Sequence, residues 1–167
     1  MKIIFPEIDT MYGMEQTPEW HHKDIFAHTM QVVDNAAKLS SKMEIRFAAL
    51  VHDIAKPNTR RVDKNRGYTF HGHDAVGERM LNKVSRRMKL SNRLKRYIKK
   101  LTKLHLRPIA LAKNIVTDSA IRRLMVESGE DIDDLMTLCR ADITTKNPNR
   151  VKQYLKNFDL VEKKIKN

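Results

Sequence analysis

Apolar residues recur at intervals of three and four along most of the chain, and long alternating runs of β-branched residues are missing. This spacing predicts helices. The first follows the capping residue Asp24 and runs over 25–39. The second runs over 43–55 and ends at Lys56-Pro57, since a proline disfavours helix in the residue before it. The other predicted helices cover 74–88, 91–106, 118–128, 131–144 and 149–165.

The longest stretch without helical periodicity covers 57–73. Turn-forming residues at its centre predict a small hairpin within 59–70, in which 60–62 pairs with 67–70. The chain has no internal repeat, linker or low-complexity block, so we expect one all-α domain over 1–167, with about six to seven helices. Three further helix ends are marked by capping residues: Asp74, Ser91 and Gly129.

Length and composition agree with one folded domain. The chain has 167 residues, of which 41% are hydrophobic, so a core can form. No run approaches the roughly 18 apolar residues that cross a bilayer, and the first residues lack the apolar stretch of a secretory signal. The single cysteine, Cys139, excludes an internal disulfide. We therefore expect a cytoplasmic protein with no membrane partner.

Basic residues are concentrated in one part of the chain. Lys and Arg number 33 against 20 acidic residues, and 79–113 contains thirteen of the basic residues and no acidic one. Since apolar positions occupy the other face of the two helices there, the cations are predicted to form a surface for a polyanion such as a nucleotide or RNA, including tRNA. The alternative is the ordinary solvated face of an amphipathic helix pair. The predicted RNA-contacting residues are Arg86, Arg87, Arg93, Arg96, Lys99, Lys100 and Lys103.

Several histidines and aspartates fall on apolar faces. His28 lies on the apolar stripe of the first helix, and His105 continues that of a later one. The pair His52-Asp53 stands in an apolar segment, and Asp142 falls on the inward face of its helix. Carboxylates are almost never buried unless they are paired or bind metal, so together these residues indicate a divalent metal site. Taken singly, each histidine could instead bond to backbone, and each aspartate could form a salt bridge.

The ordered set His28, His52-Asp53 and Asp142 resembles the HD-domain superfamily of metal-dependent phosphohydrolases. The surrounding segments are similar to the HD part of bacterial CCA-adding tRNA nucleotidyltransferases. This likeness extends over about residues 4–165 and implies a single helical HD domain. The segments that carry it are 23–29, 47–57, 68–73, 104–108, 115–124 and 131–142.

The resemblance implies a primary metal site of His28, His52, Asp53 and Asp142. His105 matches a histidine of members with two metals, and so does His73, which precedes Gly77 in the spacing His-x-x-x-Gly. His71 competes with His73 for that role. One or two divalent ions are therefore expected. A nitrogen-rich set without thiolates favours Fe, Mn, Co, Ni or Zn over Mg in the primary site.

The reaction that the resemblance implies is hydrolysis of a phosphomonoester or a 2′,3′-cyclic phosphate on a nucleotide or RNA end. Asp53 and Lys56 are the predicted catalytic residues, because one carboxylate can bridge two ions and an ammonium can bind a phosphate oxygen. Arg60 and Arg61 are further candidates for phosphate binding. For Lys56, an electrostatic role at the end of its helix is an equal alternative.

The chain lacks the nucleotidyltransferase head of the full CCA-adding enzymes, with its opening strand and paired aspartates. We therefore do not expect this chain alone to add CCA. A second function follows from the same likeness: a non-catalytic HD module that binds tRNA or other RNA. The basic stretch over 79–113 supports it.

Overall fold

Helices form most of the regular structure. The computed structural model describes residues 3–16, 24–113 and 117–167, and the all-α prediction is confirmed. The early elements are α1 Pro6–Asp9, α2 Ile25–Leu39, α3 Met43–Val51, α4 Lys56–Thr59, β1 Arg61–Asp63 and β2 Gly67–Thr69. The later ones are α5 His73–Arg87, α6 Asn92–Leu104, α7 Leu106–Lys113, α8 Asp118–Ser128, α9 Ile132–Ala141 and α10 Pro148–Lys166.

The core lies where α2, α3, α5, α6 and α9 pack together. Small residues allow the helices to pack closely at two places in this core. Ala48 and Ala49 of α3 are completely buried in the core. Gly77 of α5 faces Thr102 of α6, and a Cβ at that glycine would lie 3.0 Å from the Thr102 Cγ2 atom. The His-x-x-x-Gly spacing therefore places its glycine where two helices meet.

Most predicted helix ends agree with the structure. The Asp24 side chain accepts a hydrogen bond from the Ala27 N–H at 2.6 Å, and the Ser91 hydroxyl accepts one from the Leu94 N–H at 3.2 Å. The α8 helix ends at Gly129, which has a φ of +55°. The predicted hairpin is also present: β1 and β2 are antiparallel, with Val62 opposite Tyr68.

Two helix boundaries near the hairpin differ from the prediction. The helix predicted over 43–55 ends at Val51, and Pro57 lies in the first turn of α4. A proline is tolerated there because the first N–H groups of a helix have no partner within it. The next helix begins at His73, after Gly72 in the left-handed region at φ +75°, and not at the predicted cap Asp74.

The later boundaries also differ. The helix predicted over 91–106 is divided at His105 into α6 and α7, and Pro108 lies in the first turn of α7. The helix predicted over 131–144 begins at Ile132 and ends at Ala141, so Asp142 lies just beyond it. The short α1 was not predicted. Among the described helices, none has the length and apolarity to span a membrane.

Candidate metal centre

The six predicted metal ligands come together at helix ends. His28 lies in the first turn of α2, His52 and Asp53 follow α3, and His73 opens α5. His105 stands between α6 and α7, and Asp142 follows α9. All but Asp142 are buried, with at most 7% of their surface exposed. Because helix ends are where the chain turns, residues distant in sequence can point their side chains into one space.

The first group consists of His28, His52, Asp53 and Asp142. The Asp142 Oδ1 atom lies 2.9 Å from His28 Nε2 and 3.2 Å from His52 Nε2. The Asp53 Oδ2 atom lies 3.5 Å and 3.3 Å from the same two nitrogens. The possible ligand atoms of this group all lie within 4.8 Å of one another, close enough to surround one ion.

The second group consists of Asp53, His73 and His105. Here the other oxygen of the shared aspartate, Oδ1, lies 3.2 Å from His73 Nε2 and 3.7 Å from His105 Nε2. The two Nε2 atoms are 3.3 Å apart. The two oxygens of Asp53 therefore face different groups, which is the arrangement that a bridging carboxylate needs.

In each imidazole, the Nε2 atom faces the carboxylates and the Nδ1 atom already has a polar partner within the protein. The Nδ1 atoms of His52, His73 and His105 bond to the carbonyl oxygens of Ala49, Phe70 and Thr102 at 2.7, 2.8 and 2.6 Å. Since a carbonyl only accepts, each of these Nδ1 atoms carries a proton. His28 Nδ1 contacts the Thr144 hydroxyl at 2.9 Å. All four imidazoles thus turn Nε2 towards the carboxylates, as metal-binding histidines do.

In this centre, burial and the neighbouring charges shift the pKa values of the side chains in opposite directions. Burial lowers the pKa of His52, but the charges of Asp53 and Asp142 outweigh it and raise that pKa to about 10. Burial raises the pKa of Asp53, yet the neighbouring His52 and Lys56 hold it well below its ordinary value. Burial lowers the pKa of His105, and Asp53 offsets this only in part. Burial also raises the pKa of Asp142, but His52 and His28 hold it well below its ordinary value, so positive charge beside both carboxylates is favourable.

The residues present fit a divalent ion. Asp53 is buried, and its Oδ2 atom lies 2.7 Å from Lys56 Nζ and 3.3 Å from His52 Nε2. A buried carboxylate is costly unless positive charge lies beside it, and a coordinated cation would supply more of that charge. The thiol of Cys139 is not part of either group, because it donates to the His105 carbonyl at 3.2 Å. Among the described residues, the donors of both groups are therefore imidazole nitrogens and carboxylate oxygens.

Residues 25–147 match the HD domain, a span that holds all six of these ligands. The chain belongs to the HD-domain family. This family comprises metal-dependent phosphohydrolases whose members bind divalent metals. The buried cluster of histidine and aspartate lies within the matched span.

Of the two candidate histidines near Gly77, the structure places only His73 in the second group. His73 is buried against Asp53, whereas His71 is exposed. Two contacts of the centre could not be predicted from the sequence. Thr144, a buried residue after Asp142, orients His28, and the Gln16 side-chain oxygen accepts a hydrogen bond from Lys56 Nζ at 3.1 Å. Neither residue belongs to a recognisable motif.

A pocket of about 200 Å³ opens onto the first group of ligands. Lys56 lines it, with Nζ 2.7 Å from Asp53 Oδ2, and its contact with a substrate phosphate stays a prediction. Arg60 and Arg61 do not line it: the Arg60 guanidinium stacks 3.7 Å from the Tyr68 ring centre, and Arg61 is exposed. The pocket is lined by Gln16, His28, Lys56, Leu106, Ile109, Cys139, Asp142, Ile143, Tyr154 and Phe158. A larger cleft of about 770 Å³ lies between α3 and α6, and none of the described ligands lines it.

The predicted basic surface carries less free positive charge than the sequence indicates, because acidic residues from outside 79–113 reach it. Arg87 forms two hydrogen bonds with Glu7, at 3.0 and 2.6 Å, and Lys100 pairs with Asp131 at 2.8 Å. Glu78 lies 3.9 Å from Lys99 and 3.7 Å from Lys103. The predicted cations that are exposed and form no described ion pair are Arg86, Arg93 and Arg96.

Proposed function

We propose that this HD domain hydrolyses a phosphate ester on a nucleotide or RNA end, either a phosphomonoester or a 2′,3′-cyclic phosphate. The observation that carries the proposal is the position of Asp53 between two groups of ligands. Its Oδ2 atom faces His52 at 3.3 Å, and its Oδ1 atom faces His73 at 3.2 Å. A carboxylate shared in this way suits two neighbouring ions, the arrangement that stabilises both the attacking and the leaving oxygen in phosphoryl transfer.

The residues of the centre would hold one or two divalent ions, with Fe, Mn, Co, Ni or Zn preferred over Mg in the first group. Ions bound there supply Lewis-acid chemistry and lower the pKa of bound water towards about 7. The protein's own part is to hold the donors in place. Backbone carbonyls lock three of the imidazoles, and the surrounding core limits the access of bulk water to Asp53.

Lys56 is the residue we assign to the substrate phosphate. Its ammonium carries three N–H donors. One side of it faces Asp53 Oδ2 at 2.7 Å, and a hydrogen bond at 3.1 Å joins it to the Gln16 oxygen. The third donor can bind a phosphoryl oxygen in the pocket that Lys56 lines. Its positive charge also opposes the charge that develops at phosphorus during the reaction.

A relationship to the HD part of CCA-adding tRNA nucleotidyltransferases is also part of the proposal. The segments 23–29, 47–57, 68–73 and 104–108 support it, since they carry five of the six ligands and Lys56. RNA binding without catalysis is the second candidate function. Arg86, Arg93 and Arg96 favour it, because they are exposed, form no ion pair within the described residues, and carry guanidinium groups that bind phosphates readily.

Phosphatase and cyclic phosphodiesterase assays with Mn, Ni or Co test the proposed reaction. Asp53→Ala removes the shared ligand, and we expect it to abolish metal-dependent hydrolysis. Asp34→Ala is the matched control, since Asp34 is an exposed aspartate on α2 outside the centre. Equal activity in the wild type and in Asp53→Ala would refute the proposal. A wild type that binds RNA and hydrolyses no phosphate ester would favour the second function.

A further inference from the structure

The pocket at the metal centre has walls that lie outside the matched HD region. The HD match covers residues 25–147. Gln16 precedes it, and Tyr154 and Phe158 belong to α10 beyond it, yet all three line the pocket together with His28 and Asp142. These parts of the chain therefore shape the space in front of the centre, without contributing metal ligands among the described residues.

The size of the pocket limits what it can enclose. Its volume is about 200 Å³. Pockets that enclose a drug-sized ligand measure roughly 300–1,000 Å³, so this one holds a single ring or a group of similar size. A phosphate bound at Lys56 and the ligands of the first group would place the adjoining organic group against the remaining walls.

Those walls suit a flat ring. Leu106, Ile109, Ile143 and Phe158 provide apolar surface. Tyr154 is half-buried on the inward stripe of α10, which also carries the buried Phe158 and Val161. Aromatic side chains bind nucleobases by stacking, because every base has a π-face.

One polar group accompanies the apolar walls. The Gln16 oxygen accepts a hydrogen bond from Lys56, which identifies the other end of its amide as the N–H donor. This nitrogen, Nε2, is buried and has no partner within the described residues. Because Gln16 lines the pocket, a rotation of its amide would present this donor to a ligand oxygen or ring nitrogen, and that contact would satisfy a group that is costly to bury.

We propose that α10 and Gln16 form a subsite for the ring next to the scissile phosphate, with the ring against Tyr154 and its polar edge at the Gln16 amide. The substrate is then a nucleotide, or the terminal nucleotide of a single strand, and not a phosphate within a duplex. The inference rests on the proposed function for the position of the phosphate. The ring subsite itself can be tested without hydrolysis.

The test measures binding and turnover separately. Calorimetry with adenosine, which has no phosphate, reports on the ring subsite of the manganese-loaded protein. We expect Tyr154→Ala to weaken adenosine binding roughly 10-fold, Tyr154→Phe to preserve it, and Gln16→Ala to weaken it several-fold. Tyr12→Ala is the matched control, because Tyr12 is 76% exposed and does not line the pocket. Thermal unfolding verifies that each variant is folded.

The same variants are assayed with 2′,3′-cyclic AMP and with glycerol phosphate, which has no ring. A fall of roughly 10-fold in kcat/KM for the nucleotide alone supports the subsite. Equal losses on both substrates, or unchanged adenosine affinity in Tyr154→Ala, would overturn it. If the wild type hydrolyses neither ester but binds adenosine through Tyr154, the proposed function fails and the ring subsite stands.

Discussion

The buried metal centre and the basic surface of α5 and α6 are both concentrations of ionisable residues, but they arise in opposite ways. The centre collects residues from five separate places in the chain, and its possible ligand atoms lie within 4.8 Å of one another in each group. The surface draws its cations from the single stretch 79–113, which contains thirteen basic residues, and acidic residues from elsewhere pair with several of them. The basic surface could therefore be recognised from neighbours in the sequence, whereas the metal centre is formed by residues that are neighbours only in space.

The energetic consequences differ as well. In the centre, burial makes each charge depend on its neighbours, as the pKa of His52 at about 10 illustrates. On the surface, water and salt screen each pair, so single ion pairs contribute little to stability. We expect substitutions in the centre to have larger effects than substitutions that remove the same charge from the surface.

The largest difference is expected for Asp53, which both groups share. Asp53→Asn removes the charge and one of the two carboxylate oxygens. Loss of a residue that is only hydrogen-bonded to a metal ligand can lower metal affinity by up to roughly 100-fold. Loss of the shared ligand itself should lower it further. Metal content after dialysis, measured by mass spectrometry, provides the readout. Asp34→Asn, an exposed aspartate on α2, should retain the wild-type content. Normal metal content in Asp53→Asn would contradict the bridging role.

Metal binding should also stabilise the fold. At a free metal concentration of about 100 times Kd, a single ion that binds only the native state contributes about 2.7 kcal/mol. For a chain of this length, that free energy corresponds to a rise in Tm of roughly 5–10 °C. Thermal unfolding with and without a chelator measures it. A Tm that is the same in Mn, Ni, Co and chelator would show that the centre does not hold an ion in the native state.

RNA-binding measurements can compare the surface cations that form no described ion pair with those that do. Changing Arg86, Arg93 and Arg96 together to Gln should lower the slope of log affinity against log salt by about 2, because each phosphate contact on a single strand contributes about 0.7. The matched control changes Arg87, Lys99 and Lys103 to Gln. It removes the same charge from residues that already contact acidic side chains, so its effect should be smaller. Equal effects would mean that the ion pairs do not matter for binding.

The close packing of α5 against α6 beside the metal centre can be tested at Gly77. A Cβ there would lie 3.0 Å from Thr102 Cγ2, which is completely buried on α6. Gly77→Ala should lower the free energy of unfolding by about 1 kcal/mol, since the crowding outweighs the better helix propensity of alanine. Urea denaturation measures the change. Adding Thr102→Ser, which removes Cγ2, should recover most of the loss, and an additive double variant would exclude this contact as the cause.

The smallest effect is expected at a surface ion pair. The hydrogen bond from Arg107 to Glu127, 2.6 Å long, holds the pKa of the Glu127 carboxyl below its ordinary value of 4.5. Its contribution is therefore present above about pH 4.5 and is lost as the pH falls through the lowered pKa of the folded state. Because the pair is exposed, Glu127→Gln should cost about 0.5 kcal/mol or less at pH 7, and nothing near pH 2. A larger cost, or one that grows in acid, would contradict this interpretation.

Much of the fold followed from local information. Helical periodicity and the caps Asp24, Ser91 and Gly129 located most helices to within a few residues. Two predicted helix ends near prolines, at 55 and at 106, were wrong. Pro57 and Pro108 lie in the first turn of a helix, where proline is compatible with helix, and the sequence alone does not distinguish that position from a helix end.

The six candidate ligands could be named in advance because an inward histidine or aspartate in an apolar segment needs a partner. The HD-type order of these residues indicated which partners they have. Their convergence is now a feature of the structure, while metal binding itself stays a prediction. The choice of His73 over His71 depended on packing. His73 opens α5 against the core, and His71, two residues earlier, lies at the surface.

The remaining features depend on contacts between segments far apart in the chain. Gln16 reaches Lys56, Thr144 orients His28, and α10 supplies a wall of the pocket. Glu7, Glu78 and Asp131 likewise pair with cations of the basic surface. A residue's type and its local spacing decide which helix it joins and whether its side chain faces the core. Only the packing of the helices decides which side chain it meets there, because that contact depends on where distant segments lie in space.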